Sequence, residues 1–227
     1  GLCVDKTLIT AGVAIMLAGW SIAVFVLFRI LLNTPDQDKR HAKVTSIALF
    51  MGWLGVAAYL LWLMTENSAA LNFSRTAGIW FFLLPIVLTV SHRMIPFFSS
   101  RVLDNYVMVR PFWMLWLMLA CIVAHGGLQW LEMTAYQWMV DFPLAFCALY
   151  LSYHWGFLRS FSVSLLAVLH FSFLWLGLSM MLYAAQSLVY MLSGNLLFGL
   201  APLHALSIGF FASMVLAMAS RVTIGHS

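Results

Sequence analysis

The chain has 227 residues, of which 64% are hydrophobic and 8% are charged, and its formal net charge is +4. A water-soluble domain carries roughly 25% charged residues because its surface must face water, so this composition excludes a soluble globular protein. The basic residues form no patch interleaved with polar aromatic residues, which also excludes nucleic acid as a partner.

Seven apolar segments follow one another along the chain, and a membrane-spanning helix needs about 20 such residues. They cover residues 8–32, 44–64, 76–91, 111–131, 138–157, 162–191 and 197–220. Polar loops separate the segments, and Pro96 is expected to end the third helix. We therefore predict an all-α bundle of about seven transmembrane helices in the lipid bilayer, forming one domain over residues 1–227.

The basic residues predict the orientation of this bundle. If the seven spans alternate, nine of the eleven Lys and Arg residues share one side: Arg29, Lys39, Arg40, Lys43, Arg93, Arg101, Arg110, Arg159 and Arg221. Lys6 and Arg75 fall on the other side. Because the basic side is normally cytoplasmic, we expect the first residue outside the cytoplasm and the last residue inside it.

The three cysteines stand apart from one another and form no C-x-x-C pair: Cys3, Cys121 and Cys147. This spacing supports neither a disulfide framework nor covalent c-type haem. Cys121 and His125 are four residues apart and share a helix face, but a lone pair of this kind is a weak metal signal.

Histidine is the commonest ligand of haem iron and also binds copper. The predicted spans place His125 and His204 in the outer half of the membrane, and His170 about 8 residues into the sixth span. Three more lie near the inner boundary: His92, His154 and His226. A histidine within a span is either a ligand or a hydrogen-bonding partner for another helix, and the sequence leaves both roles open.

The last span carries a stripe of small residues at every fourth position, namely Ala205, Gly209, Ser213 and Ala217. Small side chains on one face let another helix approach closely, and the same face delivers Arg221 to the inner boundary. That guanidinium is either a membrane anchor or a partner for a carboxylate.

Three stretches resemble the NnrS family of bacterial inner-membrane proteins. They are SHRMIPFF at 91–98, LLAVLHFSFLWLGLSM at 165–180 and HALSIGFFASMVLAMASRVTIGHS at 204–227. The chain starts with glycine and stops within the last of these motifs, so we expect a fragment of a longer protein, which the resemblance implies has about twelve spans.

The resemblance implies non-covalent b-type haem, copper, and a role in nitric oxide tolerance or response linked to denitrification, with nitric oxide or a related small molecule as ligand. The matching positions imply His170, His204 and His226 as metal and cofactor ligands, with Arg93 and Arg221 near haem propionates. His204 and His226 are 22 residues apart, about 33 Å along a helix, so they cannot serve one iron.

Two other functions stay open. A nitric oxide redox enzyme with a haem–copper centre would need several histidines at one depth, whereas these depths are scattered. A metal-free transporter would need broken helices or buried charges, for which Asp141 and Pro85 are the hints. The residues carry no signal for an oligomeric state.

Overall fold

A computed structural model describes residues 6–35 and 38–224. It consists of helices and their connections. The long helices are α1 (Lys6–Asn33), α2 (Arg40–Thr65), α3 (Ser68–Val102), α4 (Phe112–Trp130), α5 (Trp138–His154), α7 (Ser164–Ser193) and α8 (residues 201–224), with the short α6 (Phe157–Ser160) before α7. The all-α prediction is confirmed.

Within the described residues, six helices are long and apolar enough to cross a membrane, namely α1, α2, α3, α4, α7 and α8. The remaining predicted span, the fifth, at 138–157, corresponds to α5, which is 17 residues long. It ends early because Gly156 takes a left-handed conformation at φ +92°, which favours glycine and stops an α-helix. The chain is thus a multi-pass membrane protein.

The third helix is much longer than the predicted span at 76–91, and the prediction that Pro96 ends it was wrong. Helix α3 continues through the buried Pro96 as far as Val102. Proline removes one backbone donor, but membrane helices tolerate it because neighbouring groups satisfy the freed carbonyl. A π-helical segment, Ala77–Leu83, lies just before Pro85, consistent with local adjustment of the helix around a proline.

By internal contacts the chain forms two compact units, Gly1–Ile86 and Val87–Ser227. The expectation of a single domain over residues 1–227 stays a prediction.

In the first unit, α1 packs on α2, and α2 packs on the first part of α3. Gly52 allows a close approach: a Cβ there would lie 2.7 Å from the ring of Phe82 and 2.9 Å from that of Trp20. Lys6 and Glu66 form an exposed ion pair of 2.7 Å, which lowers the pKa of Glu66.

In the second unit, α7 is the central helix and contacts both α5 and α8. A Cβ at Gly177 of α7 would lie 2.7 Å from the side chain of Leu149 on α5. A Cβ at Gly209 of α8 would lie 2.7 Å from the indole of Trp175 on α7. The small-residue stripe of α8 therefore makes a close helix contact at Gly209, as the spacing predicts.

We predict that Gly209→Ala destabilises the second unit by about 1–3 kcal/mol, because the added methyl group overlaps a rigid indole ring. Thermal unfolding of the purified protein in detergent would measure the effect. The matched control is Gly127→Ala on α4, where no atom lies within 4 Å of the new Cβ. This control should gain about 0.5–1 kcal/mol from helix propensity. Equal melting temperatures for the two variants would contradict the packing.

Candidate functional site

The predicted ligand His170 lies in the interior of the second unit. Its side chain is 1% exposed, and its Nε2 is 2.9 Å from the hydroxyl oxygen of Ser99 on α3. Its Nδ1 has no hydrogen-bond partner among the described residues. A metal-bound histidine usually has one ring nitrogen on the metal and the other in a hydrogen bond, and the ring of His170 has this division.

Arg221 reaches the same part of the second unit from the end of α8. Its guanidinium carbon lies 5.4 Å from the ring centre of Phe98, the residue next to Ser99. Arg221 is half-buried. Arg93, which lies on α3 six residues before Ser99, is exposed. The structure therefore places Arg221 against Phe98 of α3 and leaves Arg93 at the surface.

Aromatic rings separate the buried His92 from solvent. His92 is 0% exposed, and its ring centre lies 5.8 Å from that of Phe112 and 5.9 Å from that of Trp155. The ring centre of Trp155 in turn lies 4.7 Å from that of Phe173. Phe173 is one turn along α7 from His170. His92 is thus an interior residue, although its sequence position suggested the membrane boundary.

His204 lies elsewhere, exposed near the start of α8. The hydroxyl of Ser179 donates to the carbonyl of Pro202 at 3.0 Å, and Gly209 faces Trp175. These contacts place His204 beside a position on α7 that is about eight residues beyond His170. The distance along the helix axis between the two histidines is therefore about 12 Å. The two histidines therefore cannot bind one metal ion. His226, the third predicted ligand, lies outside the described residues.

The described residues form no group of three or more His, Cys, Asp and Glu side chains that could hold a metal ion. A metal centre built from three or more of these side chains is therefore not assembled by the described residues. Haem needs as little as one histidine from the protein, and the unpartnered Nδ1 of His170 supplies one ligand atom of that kind.

A cavity of about 390 Å³ lies at one end of the second unit, next to His154 and Arg159. Tyr106 lines it from the loop between α3 and α4. Burial raises the pKa of Tyr106, while the nearby Ser99 hydroxyl and then the charge of Arg159 oppose that effect. Arg159 also donates to the carbonyl of Asp104 in the same loop. The cavity is an open cleft with one fixed cation.

A second buried polar centre joins α4 to α5. Nδ1 of His125 is 2.6 Å from a carboxylate oxygen of Asp141, and both side chains are 0% exposed. The sequence alone did not predict that these two residues pair. One signal was available: His125 lies five residues before the end of α4, and Asp141 three residues after the start of α5. A short connection between antiparallel helices places such positions at similar depth.

A family model, described as NnrS protein, matches residues 2–227. No curated protein matches the chain, and no solved structure matches it. The match covers nearly all of the chain, including the three stretches around His92, His170 and Arg221. The chain therefore belongs to the NnrS family.

Proposed function

We propose that this protein binds haem and copper in the bacterial inner membrane and serves nitric oxide tolerance or response. Membership of the NnrS family supports a nitric oxide-related membrane protein. The cofactor proposal rests on the surroundings of the buried His170. One of its ring nitrogens contacts the hydroxyl of Ser99, and the other has no hydrogen-bond partner among the described residues.

His170 is the proposed haem ligand, acting through Nδ1. The Ser99 hydroxyl holds the imidazole by its other nitrogen, fixing the orientation of the ring and the nitrogen that it presents. The rings of Trp155 and Phe173, whose centres are 4.7 Å apart, pack near His170 and limit the entry of water. When bound, haem would supply a redox-active iron able to take a small diatomic ligand.

Arg221 is the proposed partner for a haem propionate. A guanidinium can form two parallel hydrogen bonds with one carboxylate, and Arg221 lies over Phe98, whose chain neighbour Ser99 contacts His170. Arg93, on the same helix as Ser99, is a second proposed propionate partner because its exposed side chain is free to turn. His226 follows Arg221 by five residues and stays a predicted ligand.

His204 is the proposed ligand of a separate copper centre. Its side chain is exposed and lies about 12 Å along the helix axis from His170, which supports two centres over one. The described residues supply no further ligand group around it, so this centre requires ligands from beyond them.

We infer the orientation from the distribution of basic residues. Arg93, Arg159 and Arg221 belong to the side with nine of eleven Lys and Arg residues, which is normally cytoplasmic. The proposed propionate partners then face the cytoplasm, and the first residue of the chain faces the periplasm.

His170→Gly is expected to abolish the Soret absorption of the purified protein, because the iron loses its protein ligand. Added imidazole should restore the absorption, since it can occupy the space left by the side chain. The matched control is His41→Ala at the start of α2, which should leave the spectrum unchanged. A wild-type Soret band in His170→Gly without imidazole would contradict the assignment.

His204→Ala is expected to remove bound copper while leaving the haem content unchanged, because the two centres are separate. Elemental analysis and the Soret absorbance of the same sample measure both quantities. Loss of both cofactors at once would contradict separate centres. A wild-type protein with neither metal would instead favour a metal-free transporter.

A further inference from the structure

The His125–Asp141 pair is a contact between two ionisable side chains that lies wholly inside the described helices. Its two side chains are 0% exposed, and 2.6 Å separates the ring nitrogen from the carboxylate oxygen. Asp141 has no other ion-pair partner in the described chain, and its second oxygen, Oδ2, accepts no hydrogen bond there. The carboxylate thus depends on His125 for its charge partner.

The groups around the pair are polar but weakly acidic. The ring of Tyr183 on α7 meets that of His125 edge-on, with 5.2 Å between ring centres. Cys121 lies one turn before His125 on α4, and Cys147 follows Asp141 on α5; both are buried free thiols. These three residues, with His125 and Asp141, are the titratable groups that face the site from α4, α5 and α7.

The charge of the pair depends on one proton. A neutral imidazole beside an ionised carboxylate carries a net charge of −1, and an unpaired charge inside a membrane protein is costly. One added proton makes the pair neutral overall, whether the proton sits on the imidazole or on the carboxyl group. Low polarity therefore favours the protonated pair, while a nearby positive charge would favour release of the proton.

Polar residues also occur one helical turn from the pair, toward the α4–α5 turn. Gln137 is one turn before Asp141, just ahead of α5, and Ser187 is one turn after Tyr183 on α7. Ser187 donates to the carbonyl of Thr134 at 2.6 Å and accepts from the backbone N–H of Trp138 at 3.0 Å. One helical turn is about 5.4 Å, so Gln137 and Ser187 lie at levels between the pair and the α4–α5 turn.

We propose that His125 and Asp141 form a proton-binding site that takes up and releases one proton inside the membrane bundle. On release, the N–H or O–H bond breaks, its electron pair stays on the nitrogen or oxygen, and the proton passes to water by way of the polar groups. The site is separate from His170 and His204, so the proposal is independent of haem and copper.

Infrared difference spectroscopy between acidic and alkaline buffer tests this proposal on the full chain in lipid nanodiscs. Histidine would carry ¹⁵N and aspartate a ¹³C carboxyl group. The background variant is Asp5→Asn, Asp36→Asn, Asp38→Asn and Asp104→Asn, which leaves Asp141 as the sole aspartate of the five in the sequence. Every labelled aspartate band then belongs to Asp141, without any substitution in the pair.

The expected result is that aspartate and histidine ring bands change together at a single pH midpoint. In His125→Gln, which keeps an amide donor for Asp141, the aspartate midpoint should shift and the coupled histidine change should disappear. His41→Gln is the matched control and should leave both features unchanged. Aspartate bands that stay constant over the whole pH range of the folded protein would overturn the proposal and leave the pair as a static contact between helices.

Discussion

Close packing around α7 is the constraint on which the second unit depends. Its Gly177 lets α5 approach, while Gly209 of α8 receives its Trp175. In a lipid environment helices gain little from hydrophobic burial against one another, so close van der Waals contact at small residues supplies much of the association energy. These contacts fix the register of α7 along its neighbours, and so decide which residues its polar side chains contact.

Two polar centres lie near opposite ends of this helix. His170 contacts Ser99 toward its start, and Tyr183 contacts His125 13 residues later, a separation of about 20 Å. Hydrogen bonds between membrane helices contribute about 0.6 kcal/mol on average. These hydrogen bonds thus select the register of helices that are already packed, and the orientation of the histidine rings. They do not require the two centres to share one chemistry.

The apolar spans and the close contact at Gly209 were predictable because hydropathy and four-residue spacing report them directly. The length of α3 was not, because Arg93 and Pro96 resemble an end of a helix in sequence, whereas Pro96 is buried. Partners across helices were harder to predict: no residue pattern near His170 indicates Ser99, and the similar depth of His125 and Asp141 does not show that their side chains face each other. Such pairs depend on the rotation of each helix about its axis, which hydropathy does not report.

The central claim is that Ser99 holds one nitrogen of His170 so that the other can bind haem iron. Resonance Raman spectroscopy of the iron–histidine stretch tests it directly in the wild type, Ser99→Ala and Ser99→Thr. Hydrogen bonding at the second nitrogen alters the basicity of the ligand, so the account predicts a shifted frequency in Ser99→Ala and a frequency near that of the wild type in Ser99→Thr. The same frequency in all three proteins would contradict it.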